Sequence, residues 1–159
     1  MMPTVRRNGF TLIEIMVALA ILGIIAAIAL PMVQINAQRA REAELRQALR
    51  DIRGAIDAYK QASDEGRIAK PADASGYPPK LDELAKGVED QKSPSKQKIY
   101  FLRRIPRDPM APSTSSDIDS WGLRSYKSPP DDPKSGDDVY DVYSLSKAKS
   151  LAGTPYREW

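Results

Sequence analysis

The strongest constraint on this chain is an apolar run over residues 10–30, where only Thr11 and Glu14 among 21 residues carry polar side chains. A helix rises ~1.5 Å per residue, so the run spans roughly 30 Å, the thickness of a bilayer's hydrocarbon core. The pattern predicts a membrane-spanning helix. Glu14 is out of keeping with it, one turn inside the run. A carboxylate at membrane depth costs about 3 kcal/mol on insertion scales, so it marks a functional site and needs a partner. The spacing Thr11-x-x-Glu14 fits a capping box, in which Glu14 reaches back to its own helix start. Capping alone does not remove the cost of a buried anion.

Arg6 and Arg7 precede the run and no acid does. That asymmetry favours a cytoplasmic N-terminus, although Arg39, Arg41 and Arg46 on the far side reduce it. A cleaved secretory signal has a shorter apolar region and a small-residue cleavage site after it, and neither is present here. An ordinary signal anchor with an incidental Glu is the plain alternative.

The stretch Gly9-Phe10-Thr11-Leu12-Ile13-Glu14-Ile15-Met16-Val17-Ala18-Leu19-Ala20-Ile21-Leu22-Gly23-Ile24 resembles the N-terminal signature of type IV pilins and type II secretion pseudopilins. The match includes the basic leader, the Gly before the cut, Phe after it and Glu at the fifth place after it, with Pro31 at the 22nd. The resemblance implies that a prepilin peptidase cleaves between Gly9 and Phe10 and N-methylates Phe10. It implies that Glu14 pairs with the N-terminal ammonium, at Phe10, of a neighbouring subunit and sets register in a filament. It also implies a helix weakened, kinked or locally melted between Gly23 and Pro31, where proline lacks an N–H and clashes with the carbonyl one turn back.

Helical periodicity resumes after Pro31. Leu45, Leu49, Ile52, Ile56 and Tyr59 form one stripe, with Ala48, Ala55 and Ala62 beside it. The stripe predicts packing on the chain's own core. The other faces carry Arg39, Arg41, Glu42, Glu44, Arg46, Arg50, Asp51, Arg53, Asp57 and Lys60, read as solvated, with Glu42 and Arg46 at i,i+4 spacing. Gly66, after Ser63-Asp64-Glu65, is a C-terminal stop.

Beyond residue 62 the pattern predicts a small head. Tyr77-Pro78-Pro79 starts a short helix with Leu81 and Leu84 inward and Gly87 at its end. Pro106 and Pro109 exclude a regular interior strand and leave an extended connection. Residues 121–128 and 139–145 alternate, and the Pro, Asp and Gly-rich stretch between them predicts an antiparallel hairpin. The terminal aromatics Tyr156 and Trp159 are placed to cover the sheet. The domain plan is a leader at 1–9, a transmembrane and filament-core helix at 10–30, its amphipathic continuation at 31–62, and a head at 63–159. The fold class is α+β: a long N-terminal helix packed on a globular head with a short antiparallel sheet, as in type IV pilins.

Composition excludes much. The chain has no Cys and no His, which removes thiol nucleophiles, disulfides, His general bases and ordinary structural zinc sites. Two of its 24 Lys and Arg lie in the leader, leaving 22 against 21 acids, so the basic balance does not argue for nucleic acid. A membrane-anchored enzyme would need Ser-Lys or carboxylate chemistry, and Ser93-Pro94-Ser95-Lys96 lies in a polar loop.

The order of the head resembles the major pseudopilin of type II secretion more than a major pilin. Ile105-Pro106-Arg107-Asp108-Pro109, Trp121-Gly122 and Tyr140-Asp141-Val142-Tyr143-Ser144-Leu145 carry that resemblance. It implies a pseudopilus subunit that drives protein export; a type IV pilus subunit or minor pilin for adhesion, motility or DNA uptake is the alternative. Implied partners are the prepilin peptidase, other copies and minor pseudopilins, the inner-membrane platform with its ATPase, and the secretin channel. Implied location is the bacterial inner membrane, single-pass with a periplasmic head, then a periplasmic filament. The resemblance breaks after Ser144-Leu145, where the family carries an acidic, Gly-rich calcium loop. Here Ser146-Lys147-Ala148-Lys149-Ser150 is basic. No cofactor is expected, with calcium as the alternative, and Asp131, Asp132, Asp137, Asp138 and Asp141 are read by default as solvated turn acids. Lys147, Lys149 or the terminal aromatics are candidates to hold the loop instead.

Overall fold

The computed structural model describes residues 9–159, without the side chains of residues 28–31. The leader with Arg6 and Arg7, and the Pro31 side chain, lie outside the described residues. The chain divides after Gln38 into two units, each described by itself. The long helix α1 is assigned over Leu12–Asp64, through both Gly23 and Pro31.

In the N-terminal unit the helix begins at Thr11, whose carbonyl accepts from the Ile15 N–H at 3.3 Å. In the second unit the helical stripe is the wall of the core. Leu45, Leu49, Ile52, Ile56 and Tyr59, with Ala48, Ala55 and Ala62, are all buried. The helix stops as residues 63–66 predict. Gly66 adopts a φ of 71°, a left-handed value that favours glycine. That turn lets the Arg67 N–H reach the Ala62 carbonyl (2.9 Å) and the Gly66 N–H reach Ser63 (3.0 Å), the paired bonds of a Schellman stop.

The head builds the opposite wall from Leu81, Leu84, Ile105, Trp121, Val139, Val142 and Tyr156. The predicted short helix is mostly turn. Only α2, Glu83–Lys86, is regular, because Glu83 and Leu84 still bond three residues back, to Lys80 and Leu81. Leu81 and Leu84 are inward as expected.

Strands β1 (Val88–Glu89) and β2 (Lys98–Ile99) form an antiparallel pair absent from the sequence expectation. The expected hairpin is present as β3 (Trp121–Arg124) and β4 (Asp141–Ser144), shorter than its alternating pattern. Pairing runs from Trp121 opposite Ser144 to Arg124 opposite Asp141. It ends there because the Ser125 N–H turns to the Lys134 carbonyl and the Tyr126 N–H to Asp138. Gly122 lies under the Tyr143 ring, where a Cβ would come within 2.4 Å of ring carbons, so the aromatic covers the bare backbone opposite it. Residues 101–109 are irregular, as two prolines require. A final 3-10 turn, Tyr156–Glu158, follows and packs on β4.

Candidate functional site

The N-terminal unit presents an unusual surface. Phe10, Leu12, Ile13, Ile15, Met16, Val17, Leu19, Ile21, Leu22, Ile24 and Ile25 are all exposed. Such a helix is apolar around its whole circumference, the pattern of a membrane span or the interior of a bundle. Its most apolar 18-residue window has a mean hydropathy of 2.8. By length and composition, α1 is the one helix among the described residues able to cross a membrane.

Glu14 is the exception on this surface, and its geometry is specific. Its Oε2 accepts from both the Thr11 N–H (2.8 Å) and the Thr11 hydroxyl (2.8 Å). The Glu14 N–H donates to Thr11 Oγ1 at 3.3 Å. This is a reciprocal capping box, the single-chain arrangement that the spacing allows. It satisfies a helix-start N–H and uses one carboxylate oxygen. Gly9 and Phe10 precede the helix in non-regular, exposed backbone, with Phe10 84% exposed. A peptide bond there is accessible to a protease without unwinding the helix. Gly23 is helical, and a Cβ added to it would meet nothing within 4 Å.

The head offers no comparable chemistry. No group of three acids converges among the described residues. Three of the five turn acids, Asp131, Asp132 and Asp137, are exposed as expected. The other two are structural. Asp138 accepts from the Ser75 hydroxyl (2.5 Å) and the Tyr126 N–H (2.8 Å). Asp141 bonds Arg53 (2.8 Å) and Arg124 (3.3 Å). Asp108 is fully buried, taking the Ser144 hydroxyl at 2.6 Å and the Met110 N–H at 2.7 Å.

Glu42 departs furthest from its solvated reading. It is 7% exposed and accepts from the Leu151 N–H and the Tyr156 hydroxyl. A signal for this was present, because Glu42 continues the buried stripe one turn ahead of Leu45. Arg46 lies over the Trp159 ring, 4.3 Å from its centre.

Comparisons with known proteins agree with this geometry. Residues 5–30 match the family described as the prokaryotic N-terminal methylation motif. The type II secretion system core protein G of Klebsiella pneumoniae is 29% identical over 145 residues, covering 84% of this chain and 93% of that protein. That of Pseudomonas aeruginosa is 32% identical over 126 residues, covering 74% of this chain and 83% of that protein. That of Aeromonas hydrophila is 27% identical over 150 residues, 77% of this chain and 97% of that protein. No solved structure matches the chain significantly. An identity of 32% sustained across most of both chains, with the methylation motif at the start of the apolar helix, makes this chain a member of the type II secretion system core protein G family.

Proposed function

We propose that the chain is the repeating structural subunit of a type II secretion pseudopilus, a filament that forms through the N-terminal helix and drives protein export. It is a structural protein and not an enzyme. The observation that carries the reading is the pairing of an exposed, wholly apolar helix with one carboxylate held a single turn inside it.

In this reading a prepilin peptidase cuts between Gly9 and Phe10 and methylates the new amine of Phe10. Glu14 then pairs across subunits with that ammonium. Each charge offsets the other inside an apolar core, and a one-residue error in register would leave both unpaired. The capping box is the state of Glu14 in the free subunit. Gly23 and Pro31 are the weak points where the helix adjusts during packing, since glycine adds backbone freedom and proline removes one helical hydrogen bond.

The subunit is anchored in the inner membrane through residues 10–30. Arg6 and Arg7 keep the leader cytoplasmic, and the head is periplasmic. Family membership implies the peptidase and the secretion machinery as partners. Finer assignments are other copies of the chain, minor pseudopilins, the inner-membrane platform with its ATPase, and the secretin channel. Names shared by the relatives support the export role over a pilus role in adhesion, motility or DNA uptake.

The test is mass spectrometry of the mature N-terminus in cells that hold the peptidase. A chain starting at N-methylated Phe10, with processing blocked in Gly9→Ala, is expected. Processed Glu14→Ala should lose cross-linked multimers. An intact Met1 start in the wild type would overturn the reading.

A further inference from the structure

The membrane anchor and filament register make no use of Glu42, a buried acid on α1. Its Oε1 accepts two hydrogen bonds, from the Leu151 N–H at 2.8 Å and the Tyr156 hydroxyl at 2.9 Å. Both donors belong to the C-terminal segment, more than 100 residues along the chain. That segment is folded so as to present them. The Ser150 N–H bonds the Thr154 carbonyl (2.8 Å), the Gly153 N–H bonds Ser150 (2.9 Å), and Lys149 bridges Pro155. Tyr156 is 2% exposed, and the Trp159 ring meets it edge-on with centres 5.2 Å apart. Arg53 donates to the Trp159 carbonyl at 2.7 Å and to Asp141 at 2.8 Å, which ties the segment to α1 and β4.

A calcium ion would need six to eight oxygen ligands, several of them carboxylates. The residues here do not fit one. The loop at 146–150 supplies two lysines and no acid. No three acids converge among the described residues. The carboxylate that does reach the segment already takes an N–H and an O–H on one oxygen, and a single carboxylate is too few for such an ion.

We propose that Glu42 fastens the C-terminal segment to α1, and that the segment holds its place without a divalent cation. Carboxylate, amide and phenol then do together what a bound ion would otherwise do. The inference stands on contacts within the unit of residues 39–159 and is independent of the filament reading.

Trypsin tests it, because Lys147 and Lys149 are exposed inside the fastened segment while Lys92 and Lys96 lie in the separate β1–β2 loop. Cleavage of such sites follows local opening. The full chain in detergent is digested in excess EGTA and in millimolar calcium chloride, and each site is followed by mass spectrometry. Wild-type rates at Lys147 and Lys149 should agree within about twofold between the two conditions. Glu42→Ala should raise them roughly tenfold or more in both, the scale expected when hydrogen bonds to a charged group are lost. Tyr156→Phe, which keeps the ring, and Glu42→Gln, which keeps one acceptor oxygen, should raise them less. Rates at Lys92 and Lys96 should not change. Faster wild-type cleavage at Lys147 and Lys149 in EGTA, reversed by calcium, would overturn the proposal. So would wild-type rates in Glu42→Ala, or equal acceleration at all four sites.

Discussion

Replacing Asp108 with alanine removes an acceptor from a place that water does not reach. The Asp108 side chain and the Ser144 hydroxyl that donates to it are both fully buried. The second acceptor oxygen takes the Met110 N–H at 2.7 Å and so caps the turn after Pro106. A hydrogen bond to a charged group contributes about 1.5–3 kcal/mol. Met110 is only part-buried, so its N–H regains water. Ser144 does not, and bears the fuller penalty. The expected loss is about 3–4 kcal/mol, a large share of the ~5–15 kcal/mol that holds a typical domain. For a unit of this size that lowers Tm by roughly 10 °C or more. Asp108→Asn keeps an acceptor for Met110 and should lose about half as much. The assay is urea unfolding of the full chain in detergent, followed by tryptophan fluorescence. Trp121 reports locally, since its indole N–H donates to the Pro106 carbonyl at 2.8 Å. A double-mutant cycle with Ser144→Ala isolates the pair, with an expected coupling of at least about 1 kcal/mol. An alanine variant within 1 kcal/mol of wild type, or an asparagine variant equal to it, would refute the reasoning.

Three further outcomes follow from other contacts. The Arg67 guanidinium, 2.7 Å from Asp90, holds that carboxyl below its usual range, helped by the Lys92 N–H. A depressed pKa means stability present above about pH 4 and lost as pH falls through the folded value, so the advantage of wild type over Arg67→Met should vanish in acid titrations monitored by urea midpoints. Burial, then the charge and hydrogen bond of Glu83, push the Tyr59 phenol from 10.0 to about 12. The native state thus prefers the protonated phenol, stability should fall between those two values, and Tyr59→Phe should show a flatter alkaline limb in the same assay. Gly122→Ala forces the Tyr143 ring off the strand and should cost about 1–3 kcal/mol by thermal unfolding, with Tyr143→Ala relieving part of the clash in the double variant.

The parts of the fold that could be read ahead are those in which chemistry repeats along the chain. The stripe from Leu45 to Tyr59 recurs at helical spacing, and all of it is buried. Alternation over 121–128 and 139–145 gave the right pair of strands and their direction. The β1–β2 pair is two residues on each side, too short to show any period. Tertiary bonds, in turn, cut the longer strands below their pattern. Charge was the misleading signal. Glu42 and Asp138 are residue types that favour water, and what holds them inside is a partner far along the chain: Glu42 and Tyr156 are 114 residues apart, Ser75 and Asp138 63. Sequence spacing cannot display such a pairing. Thr11 and Glu14 were legible because the partner is three residues away.

The capping box also bears on why processing would have to precede assembly. Before cleavage the Phe10 nitrogen is an amide and carries no charge. Among the described residues Glu14 is held by Thr11, through Oε2. In the proposed processing, cleavage after Gly9 would create an ammonium at Phe10, and N-methylation would leave its charge in place. A cation would thus appear one residue from the capping threonine once the leader is removed. In the proposed filament the ammonium of one subunit pairs with the carboxylate of the next, so neither charge is left uncompensated while apolar helix surface is buried. Two variants separate this from a purely steric role of the leader. Processed Glu14→Gln keeps the cap geometry but removes the charge, and should insert in the membrane yet yield few cross-linked multimers. Uncleaved Gly9→Ala should likewise stay monomeric, since it lacks the cation. Multimers of processed Glu14→Gln at wild-type levels would show that the charge pair does not set assembly.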